Sequence, residues 1–174
     1  MKSILFTKKD TAELVEEPMP EPKPGEVRVR VVHSCISGGT ERAKLIGIPD
    51  SGVGIFGGGD ATTWPRRSGY SSAGVVDAVG EGVESPKVGD RVAVSWSFHS
   101  DIGAHTIARK EVESAPGWWT QRDDALAFLR LVALGRIDLS GFVEEVHSPA
   151  ECGEVYSRLA KGDAFPTVQF NWEE

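Results

Sequence analysis

The most regular stretch of the chain is Val27-Arg28-Val29-Arg30-Val31, where apolar and charged residues alternate strictly. A period of two puts valines on one face and arginines on the other, as in a half-buried antiparallel strand. Short β-rich runs at residues 3–7, 12–16, 26–33, 72–79 and 91–96 read as further strands separated by Gly and Pro. Between the second and third lies a Pro-rich stretch, residues 18–25, which lacks backbone donors and reads as a connector. Closely spaced short strands with turn signals favour a partly open barrel or sandwich.

The last third changes period. Thr120-Gln121-Arg122-Asp123 has the form of a capping box, and Leu126, Leu129, Val132 and Ala133 follow at helical spacing before Gly135. A second helix is signalled by Ser148 as N-cap, Pro149 at the first position, Glu151 at the third and Gly162 past the end, with Cys152, Val155 and Leu159 as its stripe. Each stripe is too narrow to stabilise a lone helix, so both are expected to pack on the barrel. Residues 142–146 and 167–171 read as strands returning to it.

Composition narrows the function classes. With 174 residues, 40% of them apolar, the chain can bury one core without disulfide or metal support. A net charge of −7 disfavours nucleic acid and anionic membrane as partners. The two cysteines, Cys35 and Cys152, match neither a disulfide framework nor a zinc finger. No apolar run approaches the roughly 20 residues of a membrane span, and no signal peptide is legible at the start. A cytoplasmic protein acting on small molecules is the expectation.

Two motifs identify a family. Gly74-Val75-Val76-Asp77-Ala78-Val79-Gly80-Glu81-Gly82 runs through a strand into a glycine turn, and Lys87-Val88-Gly89-Asp90-Arg91-Val92 makes a second tight turn before another strand. The pair resembles the barrel signature of the zinc-type alcohol dehydrogenases and the wider medium-chain dehydrogenase/reductase superfamily. The resemblance implies an α+β, mainly β chain: a GroES-like partly open barrel, with C-terminal helices packed on it. It covers nearly the whole chain, as residues 1–100 (barrel) and 103–174 (hinge, helices and closing strands). A family member would also carry a Rossmann domain of on the order of 150 residues; it is expected to be absent here, with the join near residues 99–103. Residues 103–106, leading to Pro116-Gly117-Trp118-Trp119-Thr120, look like the exit from such a domain, and residues 104–112 read equally well as a short barrel strand.

Candidate chemistry follows from where the family's motifs fall. The turn that supplies a cysteine zinc ligand reads Ser34-Cys35-Ile36-Ser37-Gly38-Gly39-Thr40-Glu41, with serine at the ligand position, Ser37. The family's Gly-His-Glu motif reads Gly69-Tyr70-Ser71, and the cysteine-rich structural-zinc loop has no counterpart. Serine and tyrosine are poor zinc ligands, so no metal site is expected. The remaining polar set suggests Ser37, Thr40 and Tyr70 as catalytic residues, where hydroxyls orient a carbonyl or relay a proton. Glu41, Trp64, Ser71 and Trp96 are suggested as substrate contacts. Against this stands a structural reading in which Ser37 and Thr40 cap a short helix and Tyr70 packs in the barrel mouth.

The glycine-rich residues 52–60 precede Ala61-Thr62-Thr63-Trp64-Pro65 rather than an amphipathic helix, so they read as a surface loop and not a dinucleotide site. No cofactor-binding residue is assigned to this chain; NAD(P) is implied for a full-length parent. The resemblance implies the substrate-binding domain of a zinc-independent alcohol or carbonyl oxidoreductase that depends on NAD or NADP, without turnover alone. A non-catalytic ligand-binding or structural module is the alternative. Without the family's usual Rossmann interface, any homodimer is expected to use another surface, with Trp118 and Trp119 as candidates.

Overall fold

The structure, a computed structural model, describes residues 1–48, 63–67, 69–94, 102–109, 120–162 and 164–173. Strand β1 (Lys2–Lys8) forms a hairpin with β2 (Thr11–Glu16), and the long β3 (Glu26–Cys35) leads into helix α1 (Gly38–Ile46). Then come β4 (Arg66–Arg67), β5 (Ser72–Val79), β6 (Arg91–Val94), β7 (Ile102–Gly103) and β8 (His105–Arg109). The C-terminal part holds α2 (Gln121–Ala133), β9 (Glu145–His147), a 3-10 turn (Pro149–Glu151), α3 (Cys152–Lys161) and β10 (Val168–Asn171). The chain is thus α+β, as the resemblance implied.

Two sheets organise these strands. One runs β2-β1-β4 with β7 also paired to β1; the other runs β6-β5-β3-β10-β9 with β8 also paired to β3. All pairings are antiparallel except β9 with β10. β3 is the hub. One edge lies along β5; the other lies along β8 near its start, with Glu26 opposite Arg109, and along β10 near its end, with Cys35 opposite Gln169. Its alternation appears as read: Val27, Val29 and Val31 are buried, while Arg28 reaches Asp77 at 2.9 Å and the Pro20 carbonyl at 3.1 Å. Of residues 104–112, for which the sequence offers a barrel strand as one reading, 105–109 pair with β3 as β8, and 110–112 lie outside the described residues.

The glycine turn after β5 works through two different constraints. Gly82 has φ +77°, as a turn glycine needs. Gly80, which a glycine turn would also let adopt positive φ, is instead required for space: a Cβ there would lie 2.0 Å from the Lys23 carbonyl oxygen. The Pro-rich connector passes against this turn, and Gly80 N–H donates to the Glu26 carbonyl at 2.8 Å.

The two C-terminal helices are both capped as read but buried differently. In α3, Cys152, Val155, Tyr156 and Leu159 form one stripe sunk into a core with Ile4, Phe6, Ala12, Ile36, Leu45, Val168 and Phe170. Tyr156 is its centre, 5.0 Å from Phe6 edge-on and 6.1 Å from Phe170. In α2 the Thr120 hydroxyl accepts from Asp123 N–H and the Asp123 carboxylate accepts from Thr120 N–H, completing the capping box. Its apolar side chains stay largely in solvent: Leu129 is 52% exposed and Phe128 44%. The expectation that both stripes pack on the barrel thus holds for α3, while the α2 stripe lies largely in solvent.

Residues 142–146 were expected to be a strand; β9 begins only at Glu145. Asp138 and Ser140 build a local turn, Phe142 N–H donates to the Leu139 carbonyl at 3.0 Å, and Phe142 is 63% exposed. A side-chain-supported turn therefore takes the residues that apolar character alone assigned to the sheet.

Candidate functional site

The site is built where β3 ends. Cys35 N–H donates to the Ser71 carbonyl and Ile36 N–H to the Val168 carbonyl, each at 3.0 Å, so the strand is anchored on both sides before it turns into α1. Ser37 occupies the N-cap position, yet its hydroxyl caps nothing. It accepts a hydrogen bond from the Tyr70 hydroxyl, which also lies 3.4 Å from the Thr40 hydroxyl. Gly69, buried and at φ +96°, turns the chain so that Tyr70 meets the start of α1. The three residues suggested as catalytic thus form one hydroxyl group at the helix entry. Tyr70, Ser37 and Thr40 are all half-buried.

Below them lies Glu41, which has no exposed surface. One carboxylate oxygen accepts Ser37 N–H at 2.7 Å and the other accepts the Tyr156 hydroxyl from α3. The carboxylate thus ties down the N–H of the N-cap residue itself, while the Ser37 side chain caps no N–H of the first turn. Burial pushes its pKa up from 4.5 to about 7, against the lowering effect of Tyr156, Ser37 N–H and Lys44. Tyr156, buried beside this carboxyl, is held protonated well above the ordinary tyrosine range. Both oxygens of Glu41 are occupied from within the fold, and no sequence signal marked Tyr156 as their partner.

The other residues suggested as substrate contacts are distributed around this group. Ser71 is exposed, with its carbonyl tied to β3. Trp64 is half-buried against the main core, with the Arg66 guanidinium 5.0 Å from its ring centre; Arg66 also donates to the Lys44 carbonyl at 3.3 Å, near the C-terminal end of α1. Trp96, residues 52–60, Trp118 and Trp119 lie outside the described residues. Of the histidines, His105 faces Asp77 at 3.2 Å and His147 sits between Glu145 at 2.8 Å and Glu151 at 3.3 Å, both in ion-pair clusters away from the hydroxyl group.

The donor set fits a zinc ion poorly. Ser37 and Tyr70 present neutral hydroxyls that bond to each other, and the half-buried Cys35 thiol is pushed up by burial and by Glu41, away from the thiolate that zinc binds. A phenol donating to a serine hydroxyl, with a threonine hydroxyl beside it, can instead donate to or accept from a ligand oxygen.

Comparison with known proteins agrees with this architecture. The starvation-sensing protein RspB of Escherichia coli K12 is 45% identical over 95 residues, which is 54% of this chain and 24% of that protein. The match thus spans about a quarter of the length of that curated relative. A solved structure described as short chain alcohol dehydrogenase (rspB) from E. coli CFT073, complexed with NADH, is 26% identical; the match covers 66% of this chain and 39% of that one, with a TM-score of 0.46. A thermostable alcohol dehydrogenase from Pyrobaculum aerophilum shares the fold, with a TM-score of 0.69 over 99% of both chains at 12% identity. The model of the alcohol dehydrogenase GroES-like domain matches residues 23–152, and the chain belongs to that family.

Proposed function

We propose that the chain is the substrate-side domain of a zinc-independent, NAD(P)-dependent alcohol or carbonyl oxidoreductase, and that Ser37, Thr40 and Tyr70 hold the substrate oxygen. The observation that carries this reading is the hydrogen-bonded trio of hydroxyls at the entry to α1. Bound by the coenzyme domain of a full-length parent, NAD(P) would supply or accept the hydride. The work of this chain is to orient the substrate oxygen and handle its proton. For a carbonyl substrate, Tyr70 would turn its hydroxyl proton from Ser37 to the carbonyl oxygen and give it up as hydride reaches the carbon; Ser37 would then reprotonate Tyr70 and, being half-buried, regain its own proton from solvent. Trp64, Ser71 and Trp96 are proposed as walls of the same cleft.

The junction for a coenzyme domain of the parent is proposed near residues 99–103, ahead of β8. Without that domain the chain is proposed to bind substrate without turning it over. A non-catalytic binding module is the second reading, favoured by the lack of a doubly wound parallel sheet among the described residues. No helix among the described residues is long and apolar enough to cross a membrane, and both cysteines are free. We take the cytoplasm as the compartment on that basis. Any homodimer is proposed to use a surface other than a Rossmann sheet edge.

Titrating the isotope-labelled chain with cyclohexanone, and separately with NADPH, tests the reading by NMR. Cyclohexanone is expected to shift resonances of Ser37, Thr40 and Tyr70, and Tyr70→Phe to weaken that binding. Saturable NADPH binding in the micromolar range would contradict the assignment of the coenzyme to another domain, and cyclohexanone shifts confined to residues elsewhere would remove the hydroxyl site.

A further inference from the structure

Four residues, linked at Ser37 through its backbone N–H on one side and its hydroxyl on the other, form a path from the core to the candidate site. The Tyr156 hydroxyl donates to Glu41, Glu41 accepts Ser37 N–H at 2.7 Å, and the Ser37 hydroxyl accepts from Tyr70. Tyr156 and Glu41 have no exposed surface, whereas Ser37 and Tyr70 are half-buried. The path joins α3, α1 and the segment before β5, so it ties the C-terminal helix to a turn 115 positions earlier.

We propose that Glu41 and Tyr156 are positioning residues for this site: they fix the Ser37 backbone, and through it the aim of the Ser37 and Tyr70 hydroxyls at a ligand oxygen. The inference rests on the reading of the hydroxyl trio as the substrate site. The geometry leaves Ser37 little alternative. Its own hydroxyl does not cap α1, its carbonyl accepts Glu41 N–H at 2.9 Å and its N–H is held by the Glu41 carboxylate, both oxygens of which are spoken for. A carboxylate accepts a backbone N–H more strongly than a neutral carboxyl does. Protonating Glu41 therefore loosens Ser37, and removing the Tyr156 hydroxyl leaves the buried carboxylate with one partner fewer.

The charged and titratable groups that bear on Glu41 are Tyr156 from α3, Lys44 on its own helix and Cys35 at the end of β3, with Cys152 acting on Tyr156. Of these, Glu41 is the group brought to about 7, by burial first of all. Neutral pH is thus where the cap changes strength, which gives the positioning role a readout that mere core packing lacks.

The experiment follows the Ser37 amide and the Tyr70 ring by NMR from about pH 5.5 to about pH 8.5, a window that brackets this transition and leaves tyrosine and cysteine outside it. The two signals are expected to move together with a midpoint near 7 in the wild type. In Glu41→Gln, which offers an acceptor to Ser37 and a donor to Tyr156, both should become independent of pH. In Tyr156→Phe the midpoint should rise, because a partner of the ionised form is gone. Cyclohexanone affinity should change by about fivefold across the same window in the wild type and stay level in Glu41→Gln, the scale expected of one hydrogen bond gained or lost. A Tyr70 ring that ignores pH while Ser37 titrates overturns the proposal, as does a wild-type transition that survives in Glu41→Gln. Should cyclohexanone not bind at all, the substrate-site reading fails, and the joint movement of Ser37 and Tyr70 still decides the positioning role. Binding that is equally strong at every pH retains the substrate site and removes the role of Glu41.

Discussion

The Tyr156 hydroxyl donates to the buried Glu41 carboxylate, so the last helix of the chain holds the first turn of the first helix from inside the core. The bond gives a partner to a carboxyl at 0% exposure, from a tyrosine whose ring is flanked by Phe6 and Phe170. A buried carboxylate is tolerated when its oxygens are paired, and here both are.

Loss of this bond should be costly in a pH-dependent way. Tyr156→Phe keeps the ring in its aromatic cluster and removes only the donor, so it is expected to destabilise by about 1–3 kcal/mol. Denaturant unfolding should show the larger loss at pH 8, where Glu41 is ionised, and the smaller at pH 5.5.

The carboxyls also set opposite slopes of stability against pH. Glu41 is raised from 4.5 to about 7, so its favourable contribution is complete below 4.5 and is lost as pH rises through 7; the ionisation cost is about 3 kcal/mol. Glu17, lowered to about 2 first by Arg67, and Glu145, lowered to about 2 first by Arg158, contribute stability above 4.5 that is lost as pH falls towards 2. Thermal unfolding should therefore show greatest stability near about pH 5. Glu41→Gln should flatten the alkaline side and leave the acid side unchanged.

The two C-terminal helices should respond differently to the same truncation. Leu159→Ala removes a side chain that is 3% exposed and should cost about 2–5 kcal/mol. Leu129→Ala, at a position 52% exposed, should change stability by no more than about 0.5 kcal/mol. Equal losses in chemical denaturation would show that the α2 stripe is covered in solution.

The turn after β5 separates two glycine requirements. Gly80→Ala places a methyl group against the Lys23 carbonyl, a backbone atom that cannot step aside, and should cost on the order of 3 kcal/mol or more. Gly82→Ala meets nothing within 4 Å and bears only the cost of φ +77°, about 1–2 kcal/mol. Comparing the denaturation midpoints of the two variants distinguishes contact from conformation.

What the chain revealed before its structure was mainly local. The alternation of Val27 to Val31, the caps at Thr120 and Ser148, and the stripe of Cys152, Val155 and Leu159 all depend on neighbours a few positions away, and they form as read. Ser37, Thr40 and Tyr70 were legible through the family's motifs, and the structure brings them together. Tyr156 was passed over because a tyrosine carries a polar end, although its ring fills the same stripe. The depth of Glu41 had no local signal, since acidic residues are rarely buried without a partner and its partner is distant in sequence. The α2 stripe shows the opposite limit: periodicity marks an apolar face without saying what covers it.

The most direct test of the substrate site is a crystal structure of the chain soaked with cyclohexanone. The ketone oxygen is expected within about 3 Å of the Tyr70 hydroxyl, with Ser37 and Thr40 beside it. Ketone density away from α1, with the Tyr70–Ser37 hydrogen bond undisturbed and no ligand at the hydroxyl trio, would contradict the assignment of these three residues.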